Sequence, residues 1–193
     1  GCRGIPNAYG GFEQFAEIVS KVWVEMGHQV ICYSPRQHDY QGAQLNGVEI
    51  RHIWCPEQEL GPLSHYIYDY LSLRDAVKTD CDIYLQLGYQ SSAPSYFLFG
   101  KSVRSKIITN MDGMEWKRSK WSWPVKLVTK LAEKIAVSLS GAIVSDNQGI
   151  ADYFSRRYGV RSDVIAYGCD PIGAVTSQPK LPWLSDGLCY DLV

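Results

Sequence analysis

The sequence holds no Gly-x-Gly-x-x-Gly fingerprint and no Gly-x-x-x-x-Gly-Lys-[Ser/Thr] phosphate loop, which counts against a dehydrogenase or an NTPase. Its six cysteines, at positions 2, 32, 55, 81, 169 and 189, contain no Cys-x-x-Cys pair and no zinc-finger spacing. Reduced, mostly buried thiols of a cytosolic protein are therefore expected in place of a disulfide framework. Neither sign of charge is in excess: the formal net charge is −1, so no overall basicity argues for a nucleic-acid partner. No apolar run reaches the ~18–20 residues of a spanning helix, and no signal peptide is visible. A soluble, cytoplasmic protein follows, with attachment to the inner face of a plasma membrane left open. The four histidines (28, 38, 52 and 65) are scattered. Internal repeats and low-complexity segments are absent too.

What is present is organised around residues 1–26. The glycine-rich run Tyr9-Gly10-Gly11-Phe12-Glu13 leads into a predicted helix whose apolar residues are Phe12, Phe15, Ala16, Val19, Val22, Trp23 and Met26. Spacings of three and four predict one stripe against a core. Without Cβ atoms, Gly10 and Gly11 allow a ligand close to the backbone, and the helix start presents unpaired N–H groups that suit a phosphate. The same dipeptide serves equally as a tight turn. Glu13 stabilises the first turn but repels an anion, so it either points aside or accepts from sugar hydroxyls.

Further along, strands are predicted at 29–34, 48–54, 82–87, 105–109, 141–145 and 163–166, with helices at 63–77, 93–99, after Pro124, and from Asp146 to about Tyr158. Residues 35–46 read as a loop or hairpin tip. Strands alternating with helices, and strands that are apolar throughout, predict a Rossmann-like parallel sheet with helices on both faces. The opening residues look like the loop after a strand, so a first strand appears cut off. The expected division is a domain over 1–170, a proline-bearing linker over 171–187, and the start of a second domain over 188–193.

Ligands of such sheets bind beyond the carboxyl ends of the strands. Three loops stand there: 1–11, 88–92 and 110–117. The first, Gly-Cys-Arg-Gly-Ile-Pro-Asn-Ala-Tyr-Gly-Gly-Phe-Glu-Gln-Phe, with Asp-Gly-Met-Glu-Trp-Lys-Arg-Ser-Lys-Trp and Val-Ile-Ala-Tyr-Gly-Cys-Asp, resembles the N-terminal domain of GT-B glycosyltransferases of glycosyltransferase family 4, and most of all their rhamnosyltransferase-like members. The resemblance implies the acceptor-side half of a GT-B fold. The full enzyme would transfer a sugar, plausibly rhamnose, from a nucleotide-sugar to a lipid-linked saccharide in surface polysaccharide synthesis, with retention and without metal or other cofactor. Donor-holding residues of that family lie in the C-terminal domain, so the chain alone is expected to be inactive.

Carried over by position, Asp112 is the expected catalytic carboxylate, stabilising developing positive charge or orienting the acceptor hydroxyl, and Glu115 is the runner-up. Arg3, Gly10, Gly11, Glu13, Gly88, Tyr89 and Asp146 are the expected substrate contacts, although Asp146 also reads as a helix cap. Many relatives carry a His-rich motif where this chain has Gln86-Leu87-Gly88-Tyr89-Gln90, which argues against a histidine-centred mechanism. The segment 116–126 mixes Trp116, Trp121 and Trp123 with Lys117, Arg118, Lys120 and Lys126. It reads either as a helix start with its rings in the core or as a membrane-surface contact. Two competing functions remain: a non-catalytic carbohydrate- or lipid-binding module, and another Rossmann-type nucleotide-sugar enzyme.

Overall fold

The computed structural model describes residues 2–119 and 121–168. The expected linker at 171–187 and the start of a second domain at 188–193 lie outside them. The chain runs α1 (Gly11–Glu25), β1 (Ile31–Pro35), β2 (Gln44–Leu45), β3 (Val48–Ile53), α2 (Glu57–Leu60), α3 (Ser64–Lys78), β4 (Tyr84–Leu87), α4 (Lys101–Arg104), β5 (Ile107–Met111), α5 (Trp123–Leu139), β6 (Ala142–Ser145), α6 (Gln148–Tyr158) and β7 (Asp163–Val164). Short 3-10 turns occupy Gly61–Leu63, Ala93–Leu98 and Glu115–Lys117.

The strands form two sheets. β4, β5, β6 and β7 lie side by side, all parallel, as the alternating pattern predicts. In the other sheet, β1 pairs parallel with β3, and β2 folds back antiparallel on β3. The β2–β3 turn is Asn46-Gly47, both at positive φ, an Asn-Gly hairpin at the end of the stretch 35–46 expected as a loop or hairpin tip. β1 and β4 each have strand neighbours on one side only among the described residues.

Helix α3 ties the sheets together. Its Asp75 accepts hydrogen bonds from Tyr33 Oη of β1 (3.2 Å) and Arg51 Nη1 of β3 (2.8 Å). The arginine bond, first, then the tyrosine bond hold the Asp75 carboxyl below its ordinary range, against a modest burial penalty. On the same helix Leu73 and Ala76 enter the main core with Tyr84, Ile107, Ile135 and Phe154. Ile5, Val48 and Ile50 form a smaller cluster under α1.

Helix α1 is turned differently from its apolar pattern. Phe12, Glu13, Ala16, Ser20 and Val24 face inward, while Val22, Trp23 and Met26 are exposed. Of this helix only Ala16 and Val24 pack on the small second cluster, so the bulky residues of the last turns stay outside. α5 begins at Trp123, with Pro124 in its first turn. Of the described cysteines, all are free thiols and only Cys55 is buried, fewer than expected.

Candidate functional site

The first loop is held by its own polar side chains. Asn7 Oδ1 accepts from the N–H groups of Tyr9 (3.1 Å) and Gly10 (3.2 Å), and Glu17 Oε2 accepts from the Asn7 N–H (2.7 Å). Gly4, at φ +98°, lies so close to Ser34 of β1 that a Cβ would stand 2.2 Å from its Oγ. Gly10 is the extended residue before α1, and no side chain caps that helix. Glu13 points aside: it is buried, and its Oε1 accepts from the Arg3 N–H (2.6 Å). That bond explains a carboxylate at this helix start better than a sugar contact does.

Arg3 is also occupied. Its Nη2 lies 3.0 Å from His65 Nε2 and 3.3 Å from Glu57 Oε1, and its guanidinium stacks 4.0 Å over the Tyr9 ring. Because arginine only donates, His65 Nε2 accepts and carries no proton. Burial, then the Arg3 charge, lower the His65 pKa, so the ring is neutral at pH 7. A hollow of about 170 Å³ opens beside this group, lined by Arg3, Tyr9, Glu13, Gln37, His38 and Glu57 among others. Polar groups around an exposed aromatic ring suit a small, hydroxyl-rich ligand. His38 and His65 reach this loop although nothing in their spacing announces it.

At the end of β4, Gly88 has φ +83°, and the Phe12 ring stands 3.2 Å from where its Cβ would be. A larger residue would be strained by the backbone and would have to displace the Phe12 ring by a few tenths of an ångström. Tyr89 is not a surface contact: it is fully buried, and its hydroxyl donates to the Gly113 carbonyl (3.0 Å). It braces the loop after β5 from below.

That loop carries Asp112 and Glu115. Burial, reinforced by the Glu115 charge and opposed by Arg118, pushes the Asp112 carboxyl up to about 6. Glu115 is itself buried, with Oε1 2.7 Å from Arg118 Nη2. Asp146 adds a smaller repulsion to Asp112. It does not cap α6; Asn147 does, its Oδ1 accepting from the Ile150 N–H (3.0 Å) while its Nδ2 donates to Asp146 Oδ1 (2.9 Å). Asp146 is therefore a third carboxylate of this group.

Two residues given no role from sequence complete the group. Asn110, near the end of β5, donates from Nδ2 to Tyr167 Oη (3.1 Å), while its buried Oδ1 finds no donor among the described residues. The rings of Phe12 and Phe15 meet the Tyr167 ring edge-on, with centroids 6.5 and 5.3 Å away. The Val-Ile-Ala-Tyr-Gly run was the signal for Tyr167. The glycine-rich loop and the carboxylate loop are thus joined through Phe12, Tyr167 and Asn110. The hollow beside Arg3 is itself lined by none of Gly88, Asp112 or Glu115, so the carboxylates stand as a neighbouring group.

Comparison with curated proteins finds no match. Residues 1–170 match a family described as a domain of unknown function, DUF1972, and the chain belongs to that family.

Proposed function

We propose that the chain is the acceptor-side domain of a sugar-transferring enzyme that moves rhamnose from a nucleotide-sugar donor to a lipid-linked saccharide acceptor. The observation that carries this reading is Asp112: a desolvated carboxylate beyond the carboxyl end of a parallel strand, with Glu115 and Arg118 beside it. A carboxyl that titrates at about 6 is ionised at neutral pH yet close enough to exchange a proton with an acceptor hydroxyl. The same charge stabilises an oxocarbenium-like centre. Arg118, paired with Glu115 and more than half exposed, offers a cation where a diphosphate would leave. The hollow at Arg3 and Tyr9, which Asp112 does not line, would hold a further sugar of the acceptor chain away from the reacting hydroxyl.

The test is turnover of a panel of nucleotide-sugars by the whole gene product, with a lipid-linked saccharide as acceptor. Asp112→Asn should lower kcat by about 10²-fold or more. Unchanged turnover in that variant removes the assigned role, and acceptor binding without any nucleotide release favours a non-catalytic carbohydrate-binding module.

A further inference from the structure

We infer that the outward face of α5 is a docking surface for an anionic lipid bilayer. Trp123, Leu127 and Leu131 recur every four residues along it and are 77, 61 and 58% exposed. The opposite face is already filled by Ala132, Ile135 and Ala136, so these side chains have no core to enter. An apolar stripe of this kind on a surface helix marks an interaction site.

The charge around the stripe selects the partner. Lys126, Lys130 and Lys134 stand on the same helix, and Arg157 reaches in from the end of α6. Leu127, Lys130, Leu131, Lys134, Arg157 and Tyr158 line a hollow of about 380 Å³. The one carboxylate of α5, Glu133, is fully buried and accepts from Trp116 Nε1, Tyr153 Oη and Tyr158 Oη. The exposed face of α5 therefore carries positive charge only: no ion pair to Lys126, Lys130, Lys134 or Arg157 forms among the described residues, and Lys130 lies 4.3 Å over the Trp116 ring. Apolar side chains flanked by lysine and arginine without carboxylate partners fit the boundary between acyl chains and anionic headgroups. A second copy docked on the same face would set lysine against lysine.

The segment 116–126 thus divides. Trp116 turns inward to Glu133, and Trp123 turns out. The docking inference stands without the glycosyl-transfer reading; only its consequence rests on that reading. β5 runs into the loop that bears Asp112 and then into the start of α5, so a docked α5 holds this sheet edge near the bilayer, where a lipid-carried saccharide would be met.

Co-sedimentation of the protein with vesicles tests the inference, comparing pure phosphatidylcholine with vesicles holding about 30% phosphatidylglycerol, a fraction that sets a negative surface potential. Pelleting is expected with the anionic vesicles only and should weaken as salt is added. Leu127→Glu/Leu131→Glu and Lys126→Glu/Lys134→Glu should each reduce partition by at least about tenfold while leaving the circular dichroism spectrum unchanged. Val22→Glu/Met26→Glu, on the exposed apolar residues of α1, should leave partition as in the wild type. Three results would overturn the inference: no lipid-dependent pelleting, equal pelleting by the α5 variants, or a dimer in sedimentation velocity that those variants dissolve. No sugar enters this assay, so its failure and a failure of the glycosyl-transfer reading are separately visible.

Discussion

Arg3 Nη2 lies 3.0 Å from His65 Nε2, and this single bond fastens the glycine-rich loop to helix α3. The bond exists only while His65 is neutral. Protonation removes the acceptor and places two cations together.

A pH dependence of stability follows. The His65 pKa is lowered from its unfolded value of 6.5, so below that value the unfolded chain binds the proton more readily than the folded one. The stabilisation is complete above about pH 6.5 and is lost as pH falls from there through the lowered folded value. Thermal unfolding of wild type should therefore lose more from pH 7.5 to 5 than that of His65→Gln. Parallel curves for the two proteins would show that the ring does not titrate in this way.

Asp112 has the opposite sign. Its carboxyl is raised from 3.8 to about 6, so the folded protein holds that proton more tightly, and stability falls as pH rises from about 4 through 6. Asp112→Asn should raise Tm at pH 7.5, and the gain should shrink to nothing by about pH 4. A stabilised variant with lost turnover would show a carboxylate kept at a stability cost for its chemistry.

Glu133 accepts from one indole and two phenols at a fully buried position. Glu133→Ala leaves those donors without a partner and opens a cavity, which should cost about 3–5 kcal/mol in urea unfolding. Tyr153→Phe removes only one hydroxyl and should cost about 1 kcal/mol.

Gly88 is constrained by the Phe12 ring and by its backbone. Gly88→Val should destabilise by about 2 kcal/mol or more, since a β-branched residue at positive φ adds strain to the clash. Phe12→Ala in the same chain should recover only the steric part, a difference that a double-mutant cycle measures.

Much of the fold was legible because it is local or periodic. The alternation of apolar strands with helices predicts the parallel sheet β4–β7, and Pro124 marks the start of α5. Where spacing misled, a tertiary surface overrode it. The bulky apolar residues near the end of α1 are outside because, of that helix, only Ala16 and Val24 pack on the Ile5–Val48–Ile50 cluster. Tyr89, expected as a substrate contact, is instead fully buried with its hydroxyl on the Gly113 carbonyl.

The chain's order of residues sufficed for the strand–loop–helix rhythm, the family-like motifs and the loops at the sheet edge, since each is written within a short window of neighbours. Which side chains in those loops share a field was decided only on folding. His65 reaches Arg3 from a distant helix, Asn147 takes the cap and leaves Asp146 beside Asp112, and α5 keeps its carboxylate inside and its tryptophan and lysines outside. Hydrogen bonding, desolvation and charge act through space, and separation along the chain does not set those distances.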